Sequence, residues 1–187
     1  MPEWMPAELY WILGCSYRGL PTTTAPLRRA IAANMSLARD VLDTVGAFDE
    51  GLGPLRRVSS RCEDTELGIR ALSAHPGSVL LHLPDARVEH SVPPARTSVR
   101  YLVWRCWTEG RAKLLLKRAV GSSAGLADDR IYVAKVLPAA FVAALRDALR
   151  GDRYGLRRAG AIIAALALTA AGYLYGAVAG PPSREVW

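Results

Sequence analysis

Between Ala159 and Gly180 the chain carries no charged residue: AGAIIAALALTAAGYLYGAVAG. A helix over this run is long enough to cross a bilayer's hydrocarbon core, which takes roughly 20 residues. No other segment restricts the fold as much, because so apolar a helix must be covered by lipid or by the rest of the protein. The Ala and Gly content suits a buried helix packed on a domain, whereas the hydropathy suits a span. A transmembrane helix over 159–180, with a tail over 181–187, is the expectation here. Arg153, Arg157 and Arg158 precede the run, and the charges that follow it are Arg184 and Glu185. By the positive-inside tendency, the N-terminal bulk then lies on the cytoplasmic face of the membrane, held by a single- or double-pass C-terminal anchor. Tyr173 and Tyr175 fall where interfacial rings belong.

Residues 121–158 read as a loop, GSSAGLADD, followed by an apolar segment Ile131–Leu149 that contains Lys135 and is broken at Pro138. That segment fits an interfacial or re-entrant helix, or half of a hairpin with the next one. Of the 187 residues, 24 are Lys or Arg and 17 are Asp or Glu, a formal net charge of +7. The excess is concentrated from Arg96 to Arg118, around Trp104 and Trp107. As a helix this stretch sets Val99, Val103, Trp107 and Leu114 near one stripe, with Arg111, Lys113, Lys117 and Arg118 elsewhere. Such a helix either lies at an anionic membrane surface or packs on the core with a solvated basic face. Charge alone would also admit nucleic acid, but no recognition motif accompanies it, so no nucleic-acid partner is expected. Cys15, Cys62 and Cys106 are odd in number and far apart, which excludes a disulfide scaffold and a zinc module.

The front of the chain reads as α/β. Strands are expected at Trp11–Cys15, Ile31–Met35, Ser78–Leu83 and Ala86–Ser91. Ser36 is placed to cap a helix that stops at Gly46, and Asp64 or Thr65 to open a second one that Pro76-Gly77 closes. Glu63 and Asp64 stand together at this loop-to-helix junction, where the helix dipole favours the ionised form. A carboxylate held so is a base able to take a proton from a hydroxyl. The same pair equally serves as simple cap and first-turn acid.

An ordered string surrounds that pair: Ala33-Asn34-Met35-Ser36, Val45-Gly46-Ala47-Phe48-Asp49-Glu50, Glu63-Asp64-Thr65-Glu66-Leu67 with Arg70, then Ala86-Arg87-Val88-Glu89-His90. Over about residues 10–118 it resembles the C-terminal half of family 2 glycosyltransferases of GT-A fold. The resemblance implies a partial, Rossmann-like, acceptor-side half over residues 1–120. It implies Asp64 as the base that deprotonates the acceptor hydroxyl, with Glu63 orienting it or touching the acceptor. His90 would be a ligand of a divalent ion, Mg or Mn, on the donor diphosphate. Arg96 or Arg100, in the loop SVPPARTSVR, would contact phosphates, which suit a guanidinium fork. The function implied is inverting transfer from a nucleotide-diphosphate sugar to a lipid-linked or cell-envelope glycan acceptor at the membrane.

Family members also carry a nucleotide-binding half ending in an Asp-x-Asp-like motif, and nothing before Trp4 resembles it. The expectation is therefore a truncated transferase or one piece of a split one, inactive by itself, that needs the missing half to bind its nucleotide-sugar donor. The alternative is a non-catalytic, membrane-associated remnant that docks partners.

Overall fold

In the computed structural model, residues 1–27, 31–52, 62–121 and 130–179 are described. They are mostly helical, with a small two-stranded sheet. The elements in chain order are β1 (Ala25–Leu27), α1 (Arg39–Val45), α2 (Glu63–Ala74), β2 (Leu80–His82), α3 (Val99–Val120), α4 (Leu137–Leu149) and α5 (Gly155–Ala179), with short 3-10 turns between them. The strands pair antiparallel in the register Ala25–His82, Pro26–Leu81, Leu27–Leu80.

Three of the four expected strands are corrected. Trp11–Cys15 belongs instead to a 3-10 helix, Ala7–Leu13, that ends on Gly14 in the left-handed region. Ile31–Met35 contains the 3-10 turn Ala32–Asn34, and Ala86–Ser91 is irregular, so His90 does not end a strand. Short apolar runs fit a strand or a buried turn equally, and tertiary packing decides. Ser36 caps nothing: α1 starts at Arg39 after Ala38. Helix α2 starts at Glu63, one residue earlier than expected, so Glu63 and Asp64 lie inside its first turn. The loop expected at 121–129 lies almost wholly outside the described residues.

The core is built on α3, α4 and α5. Leu102 and Cys106 of α3, Leu137 and Ala140 of α4, and Ala161, Ile162 and Ala165 of α5 close around Met5, Leu9, Ile12 and Leu13 of the N-terminal segment. Of the stripe Val99, Val103, Trp107 and Leu114, Leu114 is buried and Trp107 half-buried, whereas both valines are exposed along with Trp104. A second cluster, Leu52, Cys62, Ile69, Ala112 and Leu116, seats α2 on α3.

Glycine sets how closely α3 and α5 approach. A Cβ on Gly110 would stand 2.0 Å from the Thr169 carbonyl oxygen, and one on Gly172 would stand 2.2 Å from that of Trp107. Further along, Gly176 meets Leu114 and Arg111. The two helices therefore run parallel with their backbones in contact. Small residues one turn apart, here Gly172 and Gly176, permit that approach between apolar helices.

Helix α5 begins at Gly155, four residues before the uncharged run, so Arg157 and Arg158 lie in its first turn. Among the described residues it is the one helix long and apolar enough to cross a membrane, with 28% of its apolar window buried. Arg158 binds Asp147 and Asp152 and donates to the Glu3 carbonyl. Helix α4 is likewise no broken segment: a π turn, Tyr132–Val136, runs directly into it. Pro138 lacks an N–H and crowds the carbonyl four residues back. The wider π turn absorbs that defect without ending the helix.

Candidate functional site

The motif segments singled out in the sequence are bonded to one another. The Asn34 side-chain amide donates to the Ala86 carbonyl at 2.6 Å. The Ala32 N–H donates to Asp64 Oδ2 at 3.1 Å. Arg70 forks across the turn after α1, donating to the carbonyls of Val45 and Ala47 while its other contacts go to both Glu66 oxygens at 2.8 Å. Gly46, with φ of 78°, lets the chain turn between those two carbonyls. The Cys62 thiol donates to the Ala112 carbonyl at 3.5 Å and holds the start of α2 against α3. The bonds made by Asp64 and Cys62 hold the start of α2, and those of Arg70 tie the middle of that helix to the end of α1.

Asp64 is half-buried. Its Oδ1 accepts from the Thr65 N–H at 2.7 Å and hydroxyl at 3.3 Å. A carboxylate oxygen has two acceptor directions, so Oδ2 keeps one beyond its bond to Ala32. Asp64 lines a cavity of about 700 Å³. Across it stand Val133 and Leu137 at the start of α4, and Ala165, Leu166 and Tyr173 of α5. Its rim carries Trp11, Tyr17 and Tyr132, with Tyr17 edge-on to Tyr132 at 5.6 Å. The Tyr132 hydroxyl donates to the Glu8 carbonyl at 2.6 Å and accepts from the Trp11 indole at 3.1 Å. The π turn thus presents Tyr132 both to the N-terminal segment and to the cavity.

The other expected site residues are not all gathered here. Glu63 adjoins Asp64 in the same helical turn but is not in the cavity wall. His90 is exposed, its Nε2 lying 3.4 Å from where a Cβ on Gly14 would be, and Gly14 itself lines the cavity. Arg96 sits in the 3-10 turn Pro94–Thr97, and Arg100 in the first turn of α3, which Ser98 caps by accepting from the Tyr101 N–H at 3.2 Å. Neither arginine reaches the cavity wall. Among the described residues no three His, Cys, Asp or Glu side chains come together as a metal-binding group. His90, expected as one ligand of a divalent ion whose other ligands lie in the missing half, belongs to no such group among the described residues.

Arg105, Glu109 and Tyr132, which no motif singles out, also line the cavity, as does Lys113, which the helical pattern sets off the apolar stripe of α3. The signal was present as Arg, Glu and Lys at successive four-residue intervals, the spacing at which side chains on one helix face pair.

No known family profile matches the chain, and no solved structure matches it. A curated protein that does match is the glucosyl-dolichyl phosphate glucuronosyltransferase of Haloferax volcanii, 27% identical over 178 residues. This chain is similar to a glycosyltransferase. The match covers 94% of the chain and 55% of the relative, so the chain spans about half the length of the protein it matches. The relative's name gives its acceptor as a glucosyl unit on dolichyl phosphate and the transferred group as glucuronosyl. Its matched portion extends over the motif segments, the cavity and nearly all of the helical core, since so little of this chain is left unaligned.

Proposed function

We propose that this chain is the acceptor-side portion of a membrane-associated glycosyltransferase of family 2 type, acting on a lipid-linked acceptor from the cytoplasmic face. The observation that carries the reading is the position of Asp64, whose carboxylate opens on a cavity with an apolar wall made by α4 and α5. A polar acceptor group on an apolar chain matches such a cavity, and a relative named for a dolichyl-phosphate acceptor supports it.

The chemistry proposed is a single displacement with inversion. The acceptor hydroxyl gives its proton to Asp64 as its oxygen forms the bond to the donor's anomeric carbon. The bond from that carbon to the diphosphate breaks, and its electron pair leaves on the nucleotide diphosphate. Asp64 is suited to the task because backbone and hydroxyl donors fix the direction of its carboxylate. Glu63, next in the turn, would help orient the base. A nucleotide-diphosphate sugar is the proposed donor. Arg96 and Arg100 stand on the segment following His90 and would meet its phosphates on the side away from the apolar wall.

The test compares wild type with Asp64→Asn, each supplied together with the nucleotide-binding half that the reading requires, in membranes given nucleotide sugar and glucosyl-dolichyl phosphate. Loss of transfer in the variant, with the fold retained, supports the reading. Transfer at the wild-type rate removes Asp64 from the mechanism.

A further inference from the structure

The cavity wall carries more charge than the displacement uses. Arg105, Glu109 and Lys113 follow one another along α3 at four-residue intervals. Arg105 Nη1 lies 2.6 Å from Glu109 Oε2, and Lys113 Nζ 3.3 Å from Glu109 Oε1. All three side chains are largely buried, at 10%, 15% and 19% exposure. The Arg105 guanidinium also lies 5.5 Å from the centre of the Trp11 ring.

Because α3 runs parallel to α5 with Gly110 against Thr169 and Leu114 against Gly176, this ladder lies beside the second half of the apolar run. Ionised groups at such a place are costly, and where they occur they face a protein cavity and mark the path of a ligand. Arg130 also lines the described wall, where the Asp64 carboxylate is already engaged by Ala32 and Thr65. Glu109 takes one of the five guanidinium N–H donors of Arg105. A ligand that satisfies this wall and the apolar residues beside it has an anionic head and a long hydrocarbon chain.

We infer that the Arg105–Glu109–Lys113 ladder is a head-group subsite that binds the phosphoryl group of a polyprenyl-type lipid, whose chain runs along Leu137 and Leu166. The inference rests on the transferase reading above and adds to it the contact that selects a phosphorylated lipid over a neutral one. Arg105 offers a planar fork to two phosphoryl oxygens, Lys113 adds a compact charge, and Glu109 holds both cations toward the cavity.

Binding of dolichyl phosphate, dolichol and inorganic phosphate to the full chain in detergent micelles tests this, followed by tryptophan fluorescence. Dolichyl phosphate should bind at least about tenfold more tightly than dolichol, the margin expected of one or two charge-assisted contacts. Lys113→Gln should erase most of that margin without altering dolichol binding, and Lys113→Arg should restore it. Arg105→Gln alone would strand Glu109, so the paired variant Arg105→Gln/Glu109→Gln is used, and it should also lose the margin. If both lipids bind equally and no variant changes them, the subsite is overturned while the lipid-acceptor reading stands. If inorganic phosphate competes as well as dolichyl phosphate, the lipid assignment of the subsite is overturned. If neither lipid binds, the acceptor reading fails and the subsite falls with it.

Discussion

The Asp64 carboxylate accepts the backbone N–H of Ala32 at 3.1 Å, joining the first turn of α2 to a segment 32 residues earlier. This bond leaves Asp64 aimed into the cavity beneath Ile31, which lines the same wall. The amide oxygen of an Asn at position 64 can still accept that N–H, at the loss of the bonds from Thr65 to the other carboxylate oxygen, so Asp64→Asn should keep the fold with a modest stability cost and lose the base. Transfer to a lipid-linked acceptor should fall at least about a hundredfold, the usual contribution of a positioned general base. Steady-state rates in membranes that also hold the nucleotide-binding half, with the acceptor KM near the wild-type value, are the measurement.

Arg70 acts on the same turn from the other side. Its guanidinium bridges Val45, Ala47 and Glu66 and so ties the α1 exit to the body of α2. Arg70→Ala should lower unfolding stability by about 2 kcal/mol, allowing for a side chain in partial contact with solvent. Arg70→Lys should recover little of it, since an ammonium cannot fork across two carbonyls. Chemical denaturation of the three proteins measures the difference.

Two glycines separate packing from helix propensity. Gly110→Ala forces a methyl into the Thr169 backbone and should cost about 3 kcal/mol or more, because neither helix backbone can yield independently. At Gly160, in the exposed part of α5, a Cβ meets nothing within 4 Å. Gly160→Ala should be neutral or raise stability by up to about 1 kcal/mol through helix propensity. Thermal melts of both variants in one detergent give the comparison.

The junction between α4 and α5 carries an acid-sensitive link. Arg158 and the Tyr154 N–H hold the Asp152 carboxyl below its ordinary value of 3.8. A depressed folded-state value stabilises the fold fully above the unfolded value, and that contribution disappears as pH falls through the folded one. Wild type should therefore be more stable than Asp152→Asn from about pH 5 to 8, with the gap closing below about pH 4. Added salt should narrow it, because the pair is at the surface. Melting temperatures across that range check the sign.

The long helices and the Glu63-Asp64 junction were legible in the residues because their signals are local: an uncharged run, a cap region, a closing Pro76-Gly77. The 3-10 turns at Ala7–Leu13 and Ala32–Asn34 were not, since Trp11-Ile12-Leu13 alternates no differently from a strand and is buried by α3 and α5, far away in sequence. Pro138 pointed to a break, but a break and a π turn follow from the same missing N–H. Asp64 stands out in the sequence through its motif, and the structure sets it in the cavity wall. The Arg105–Glu109–Lys113 ladder was passed over because which face of α3 is buried depends on Gly110 and Gly172 bringing α5 against it, and that is decided only when both helices are present.

The backbone contact through Gly110 and Gly172 has a consequence for how the apolar helix can be treated. A tether can be swapped for any other greasy segment of equal length, but α5 cannot, because its surface is one wall of the cavity that Asp64 lines. Exchanging it for a generic apolar helix would leave that cavity open on that side.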